Sequence, residues 1–189
     1  MNYNKHFELE GKHALLSPSK HTWLNYSKDQ LRAMVLNAQA AARGTKLHAM
    51  ARDLIEEKIP LRGRKQTLAA YVNDAIGYGM IPEQRFYFSP NCFGTADAFL
   101  YTPGHLRIHD LKTGVQPTHM EQLEIYAALF MLEYERVLGV KPGNTVVDLA
   151  IYQSDDVIEA HPSADRIEQV IENIRTKDQW VEDIQGEDY

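Results

Sequence analysis

HLRIHDLKTGVQ, residues His105–Gln116, carries an aspartate and a lysine two positions apart in an otherwise apolar run. Just before it, NCFGTADAFLY (Asn91–Tyr101) is a second apolar run with a single aspartate. TPGH between them signals a turn, so the two read as neighbouring strands. Residues i and i+2 of a strand face one side. Asp110 and Lys112 therefore point together, about 7 Å apart along the strand, while Leu111 points the other way. With the first strand as antiparallel neighbour, Asp97 comes close to Asp110. Adjacent carboxylates repel unless a cation lies between them, and oxygen ligands suit Mg²⁺ or Mn²⁺. The bland alternative is a structural ion pair of Asp110 with Lys112, or of Asp97 with an arginine. Burying such groups carries a large desolvation penalty, and they concentrate at functional sites.

Outward from these strands, QRFYFS alternates and is rich in aromatics, completing a meander of three strands. THMEQLEIYAALFMLEYERVL is helical with one apolar side and is broken by Gly139, Pro142 and Gly143. TVVDLAIYQ reads as another buried strand, with DVIEAH beside it, and SADRIEQVIENIRTKDQWVEDI as a closing amphipathic helix. Upstream, Ser27 and Gln30 form a capping box that opens a long helical pattern interrupted by Gly44 and ended by Pro60 and Gly63. KQTLAAYVNDAIGYG is a further short helix. LSPSKHTWLNYS is an extended lead into a short helix, capped by Ser17 or Ser19, with Trp23 and Leu24 packing inward.

The 189 residues, 44% hydrophobic and 24% charged, suit one globular domain of α/β class spanning 1–189. Within it, 1–80 is mainly helical, 81–160 holds the central sheet and its helix, and 161–189 is the C-terminal helix. No stretch approaches the ~20 apolar residues of a membrane helix, and the first residues lack the apolar region of a signal peptide, so a cytoplasmic protein is expected. Cys92 is the single cysteine, which excludes an internal disulfide framework and a four-cysteine metal site within this chain. The net charge is -6, against a protein that coats nucleic acid. Yet Arg43, Lys46, Arg52, Arg62, Arg64 and Lys65 make a basic front that would meet phosphates locally; the bland alternative is a solvated face.

GTAD, a hairpin, HDLKTG, and a helix containing QLEIYAALF together resemble the PD-(D/E)XK nuclease superfamily, in its RecB-like and phage-exonuclease-like branch. The matching positions are Gly94, Thr95 and Asp97, then Asp110 and Lys112, then Gln122 and Tyr126. The resemblance covers most of the chain, from the Gly44 helix through Ile151. It implies a restriction-endonuclease-like core in α-β-β-β-α-β order, a mixed central sheet flanked by helices, and an N-terminal helical extension. It implies a metal-dependent deoxyribonuclease, of exonuclease, recombination or repair type, in a bacterial or phage-infected cell. His48, Asp97, Asp110 and the Leu111 carbonyl would hold Mg²⁺ or Mn²⁺. Lys112 would orient the attacking water, and Gln122 and Tyr126 would line the wall. His48 shares a helix face with Arg52 and Glu56 by i, i+4 spacing; a lone histidine on a helix is ordinarily just packed or exposed. Glu83, before the first strand, reads equally as a helper of the metal or as a surface acid.

One cysteine excludes the iron–sulfur subgroup of this branch. With no Walker loop in sight, unwinding would need a helicase or recombination partner. Homo-oligomerisation stays open. Two rival readings are a catalytically silent DNA-binding or assembly protein on the same fold, and a metal-dependent phosphoesterase on another substrate.

Overall fold

Ser27 N–H donates to Gln30 Oε1 at 2.8 Å and Gln30 N–H to Ser27 Oγ at 3.3 Å. This reciprocal cap starts helix α1, Lys28–Glu56, in a computed structural model that describes residues 3–63 and 66–187. The helix runs through Gly44 without the expected interruption and ends ahead of Pro60, as expected. Lys58 takes the left-handed conformation (φ 55). Ile59 N–H then donates to Leu54 O, and Lys58 N–H to Ile55 O, a C-cap in which lysine occupies the place usually taken by glycine.

The chain divides into two compact units, Met1–Arg43 and Gly44–Tyr189. The first holds the 3₁₀ segments Phe7–Leu9 and Pro18–Asn25 and the start of α1. None of its described residues is buried. Trp23 is half-buried and donates to Ser17 O at 2.8 Å, but Leu24 is 70% exposed, so the expected inward packing fails there. Ser17 precedes the 3₁₀ segment without a side-chain cap; its hydroxyl meets that of Ser19 instead.

The second unit is a mixed α/β layer structure. Helix α2 (Thr67–Tyr78) ends at Gly79, whose φ of 72 lets the chain turn into the sheet. The strands are β1 (Ile81–Ser89), β2 (Cys92–Thr102), β3 (His105–Leu111), β4 (Val146–Gln153) and β5 (Asp156–Ala160), in spatial order 1-2-3-4-5 among the described residues. Every neighbouring pair is antiparallel except β3–β4. Pro103 and Gly104 (φ 83) make the β2–β3 turn. A parallel pair needs a crossover, supplied by α3 (Glu121–Leu138). Helix α4 (Ala164–Glu187) closes the chain and packs on α3. The mixed sheet flanked by helices, and the order of its elements, agree with the sequence reading.

Alternation sorts the strand residues into two cores. Phe86, Phe99, Ile108, Leu149 and Ile151 face α3 and α4. There Phe130 meets Phe99 and Tyr101 at 5.0 Å between ring centroids and Phe86 at 5.7 Å. Truncating such a buried ring costs about 3–5 kcal/mol. Ala98, Leu111, Ala150 and Tyr152 face the other way, with Ala51 and Ile55 of α1 and Tyr71, Val72 and Ala75 of α2. No helix among the described residues is long and apolar enough to cross a membrane.

Candidate active site

Ala98 of β2 pairs directly with His109 of β3, so Asp97 and Asp110 flank that pair on the opposite sheet face. Leu111 N–H donates to Asp97 Oδ2 at 2.8 Å, fixing one carboxylate against the end of the other's strand. Asp110 is buried, 2% exposed. Lys112 Nζ donates to its Oδ1 at 3.1 Å and lies 2.9 Å from its Oδ2, out of hydrogen-bonding direction. Among the described residues Oδ2 has no hydrogen-bond partner. Burial, then the Asp97 charge, raises the Asp110 pKa above the usual carboxylate range; Lys112 opposes this.

His48 and Glu83 complete the cluster. His48 Nδ1 lies 3.3 Å from Asp97 Oδ2. Its pKa is raised, first by the bond to Asp97 and then, against burial, by the Asp97, Asp110 and Glu83 charges. One ligand atom each of His48, Glu83 and Asp97 fall within 4.8 Å of one another. Burial, then the nearby Asp97 charge, raises the Glu83 pKa. Glu83 has φ 53, a conformation a non-glycine residue adopts only when its surroundings enforce it. The sequence reading left this acid equally open as a surface group. It stands between Pro82 and Gln84, which pair with Ala98 and Ala96, and so opposite Asp97; a registered β1–β2 hairpin was the signal that could have selected it.

The helix side of the site is a chain of hydrogen bonds. Lys112 Nζ donates to Gln122 Oε1 at 2.8 Å, and Gln122 Nε2 donates to Tyr126 OH at 3.2 Å. Two glycines allow the close approaches. A Cβ on Gly94 would lie 2.8 Å from Tyr126 Cε1, so the ring rests on bare β2 backbone. A Cβ on Gly44 would lie 2.8 Å from Thr113 Oγ1, so α1 abuts the loop just after Lys112. Lys112 N–H donates to Tyr152 O at 2.9 Å, extending the β3–β4 ladder by one residue.

The structure thus gathers His48, Asp97, Asp110, Lys112, Gln122 and Tyr126 around the β2–β3 edge. The Leu111 side chain is buried and its N–H serves Asp97. The basic front is not gathered in the same way. Arg52 is bound to Asp53 through two hydrogen bonds of 2.7 and 3.0 Å. Lys46 and Arg62 are exposed, Arg43 is exposed in the N-terminal unit, and Arg64 and Lys65 lie outside the described residues. His109, set aside in the sequence reading, is buried on the other face, where it meets Tyr152 OH at 3.2 Å; burial lowers its pKa to about 4.

Residues 80–187 match the model of a family described as "Protein of unknown function (DUF2800)". The chain belongs to this family. The DUF2800 match runs from β1 through α4, so it contains Glu83, Asp97, Asp110, Lys112, Gln122 and Tyr126, while His48 lies ahead of it. No curated protein matches the chain.

Proposed function

We propose that this chain is a metal-dependent deoxyribonuclease with a PD-(D/E)XK-like core. The observation that carries the reading is the group of His48, Glu83 and Asp97, one ligand atom of each within 4.8 Å of the others, with Asp97 on the strand next to that of the buried Asp110, whose Oδ2 has no hydrogen bond among the described residues. That oxygen has the Lys112 ammonium at 2.9 Å as an ion-pair partner but accepts no hydrogen bond among the described residues, and a hard divalent cation would complete its surroundings. The residues fit such an ion. Asp97, Asp110 and Glu83 offer oxygen, and His48 offers nitrogen, which tilts the choice toward Mn²⁺ over Mg²⁺. Bound there, the ion would polarise a phosphate oxygen and lower the pKa of a coordinated water.

The chain's own groups do the rest. The Lys112 ammonium, aimed by Gln122, holds the attacking water and balances negative charge growing on the phosphate. The water oxygen bonds to phosphorus and the bond to the leaving sugar oxygen breaks. The proton released by the water passes to solvent, and the leaving sugar oxygen takes up a proton from solvent, so the hydrolysis balances. One product ends in a phosphate and the other in a hydroxyl. Lys46 and Arg62 are exposed cations suited to the flanking phosphates.

The test is incubation of the pure protein with linear and circular DNA in Mg²⁺, Mn²⁺ or EDTA. Cleavage in either metal and none in EDTA is expected. A folded protein that binds DNA and never cuts it would favour the silent assembly reading. One that hydrolyses only small phosphodiesters would favour the phosphoesterase reading.

A further inference from the structure

A cavity of about 240 Å³ opens beside Lys112, on the sheet face opposite Asp110. Leu111 is its buried floor, and Leu47 of α1 and Leu68 of α2 are its walls. The loop Thr113–Val115 closes one side, and Val115 stands 89% exposed. Side-chain bonds hold these segments together. Gln153 Nε2 donates to Gly114 O at 2.6 Å and to Gln116 O at 2.9 Å, pinning the loop to the end of β4. Asp155 Oδ1 accepts from Thr67 N–H at 2.8 Å and from its hydroxyl at 3.0 Å, tying the start of α2 to the β4–β5 turn. Asp155 N–H donates to Thr67 Oγ1 at 2.7 Å in return. The concavity is therefore built before any ligand arrives.

We infer that this cavity receives the base of the nucleotide whose phosphate lies at Lys112, drawn out of its stack. The inference rests on the nuclease reading and adds to it a requirement on the DNA. Lys112 belongs to both places: its ammonium reaches Asp110 and Gln122, and it also lines the cavity. Leu111 and Thr113, the sequence neighbours of Lys112, also line the cavity, so it opens at the end of β3 next to the lysine that would hold the phosphate. The volume suits a single planar heterocycle and excludes a base pair. Apolar walls such as these leucines sandwich the faces of an unstacked base. Thr113 and Ser154 are polar members of the lining, and a hydroxyl both donates and accepts. The Lys112 ammonium is turned to Asp110 and Gln122, and among the described residues no other charged one lines the cavity, so the cavity itself suits a neutral base. A base in this cavity is neither stacked nor paired. Single strands and frayed ends are therefore the substrates, and intact circular duplex is a poor one.

The test uses position-resolved cleavage, in Mn²⁺, of a single-stranded oligonucleotide of uniform sequence carrying one abasic tetrahydrofuran residue. Cleavage at the phosphate of the abasic residue is expected to be slowed about 10-fold or more, the scale of one lost base contact, while the other positions are cut normally. Leu68→Trp, which fills the cavity, should slow the intact positions by a similar factor and leave the abasic position at its wild-type rate. If Leu68→Trp does not fold, Val115→Trp at the exposed mouth takes its place. Undiminished cleavage at the abasic position overturns the inference and leaves the nuclease reading standing. No cleavage of any oligonucleotide by the folded wild-type protein overturns both.

Discussion

Lys112 Nζ is gripped from two elements at once: Asp110 of β3 at 3.1 Å and Gln122 of α3 at 2.8 Å. A flexible four-carbon side chain is thereby fixed over the acids, which on the proposed reading removes ordering that would otherwise occur during reaction.

Replacing this lysine separates catalysis from folding. Lys112→Ala should leave fold and metal binding largely intact and lower the single-turnover cleavage rate at least ~10²-fold. Lys112→Arg should restore only part of the loss, because a planar fork does not take the place of a compact ammonium. Wild-type rates from a folded Lys112→Ala protein would make the strand lysine structural.

On the proposed reading, His48 is the discriminating ligand. His48→Ala should weaken Mn²⁺ binding, read by calorimetry, by about 10–100-fold, and Mg²⁺ binding less, since nitrogen ligands favour transition metals. Equal losses for both ions would remove His48 from the ligand set. The ligand must be neutral, and its neighbours raise its pKa, so the Mn²⁺ affinity should also rise with pH through the histidine range.

Asp148 offers a pH test away from the site. Burial alone would raise its pKa, but hydrogen bonds from Arg107, His105 and His161 outweigh that and hold it at about 2. A depressed folded value means stability that is present above the unfolded pKa, near 3.9, and lost as pH falls through the folded one. Between about pH 4 and 2 the wild type should lose about 2 kcal/mol through this group. Chemical denaturation of Asp148→Asn over the same window should lack that component; identical pH slopes would refute the assignment.

Gly94 transmits strand geometry to the helix side. Gly94→Ala would drive a methyl into the Tyr126 ring, and overpacking of this kind costs about 1–3 kcal/mol. The displaced ring would release Gln122 and, through it, Lys112. The expected readout is a fall in cleavage rate larger than the fall in stability explains, with Mn²⁺ affinity kept. Unchanged kinetics would show that the Tyr126–Gln122 bond does not position Lys112.

Much of this architecture was legible because it rests on local periodicity. The Ser27–Gln30 cap, the meander around Pro103–Gly104, and the pairing of Asp110 with Lys112 all follow from spacing of two or three residues. What was not legible depended on register between distant segments. Glu83 became a site group only through its position across from Asp97. Gln153 and Asp155 acquired their roles by reaching Gly114, Gln116 and Thr67, which no short-range pattern connects. Leu24 was misplaced because hydrophobicity in an N-terminal lead does not guarantee a partner.

The sheet order has a kinetic consequence. Glu83, Asp97 and Asp110 all lie on the β1–β3 meander, whose strands are joined by tight turns, whereas β4 reaches β3 only after the α3 crossover. Short loops close before long ones. The like charges are therefore brought together early, before Tyr152 of β4 arrives to fix the backbone at Lys112. Mn²⁺ present from the start of refolding should shield them and raise the folding rate relative to EDTA in stopped-flow circular dichroism, so that the ion acts as an assembly factor for the nascent sheet; equal rates would mean that the carboxylates converge only after β4 has docked.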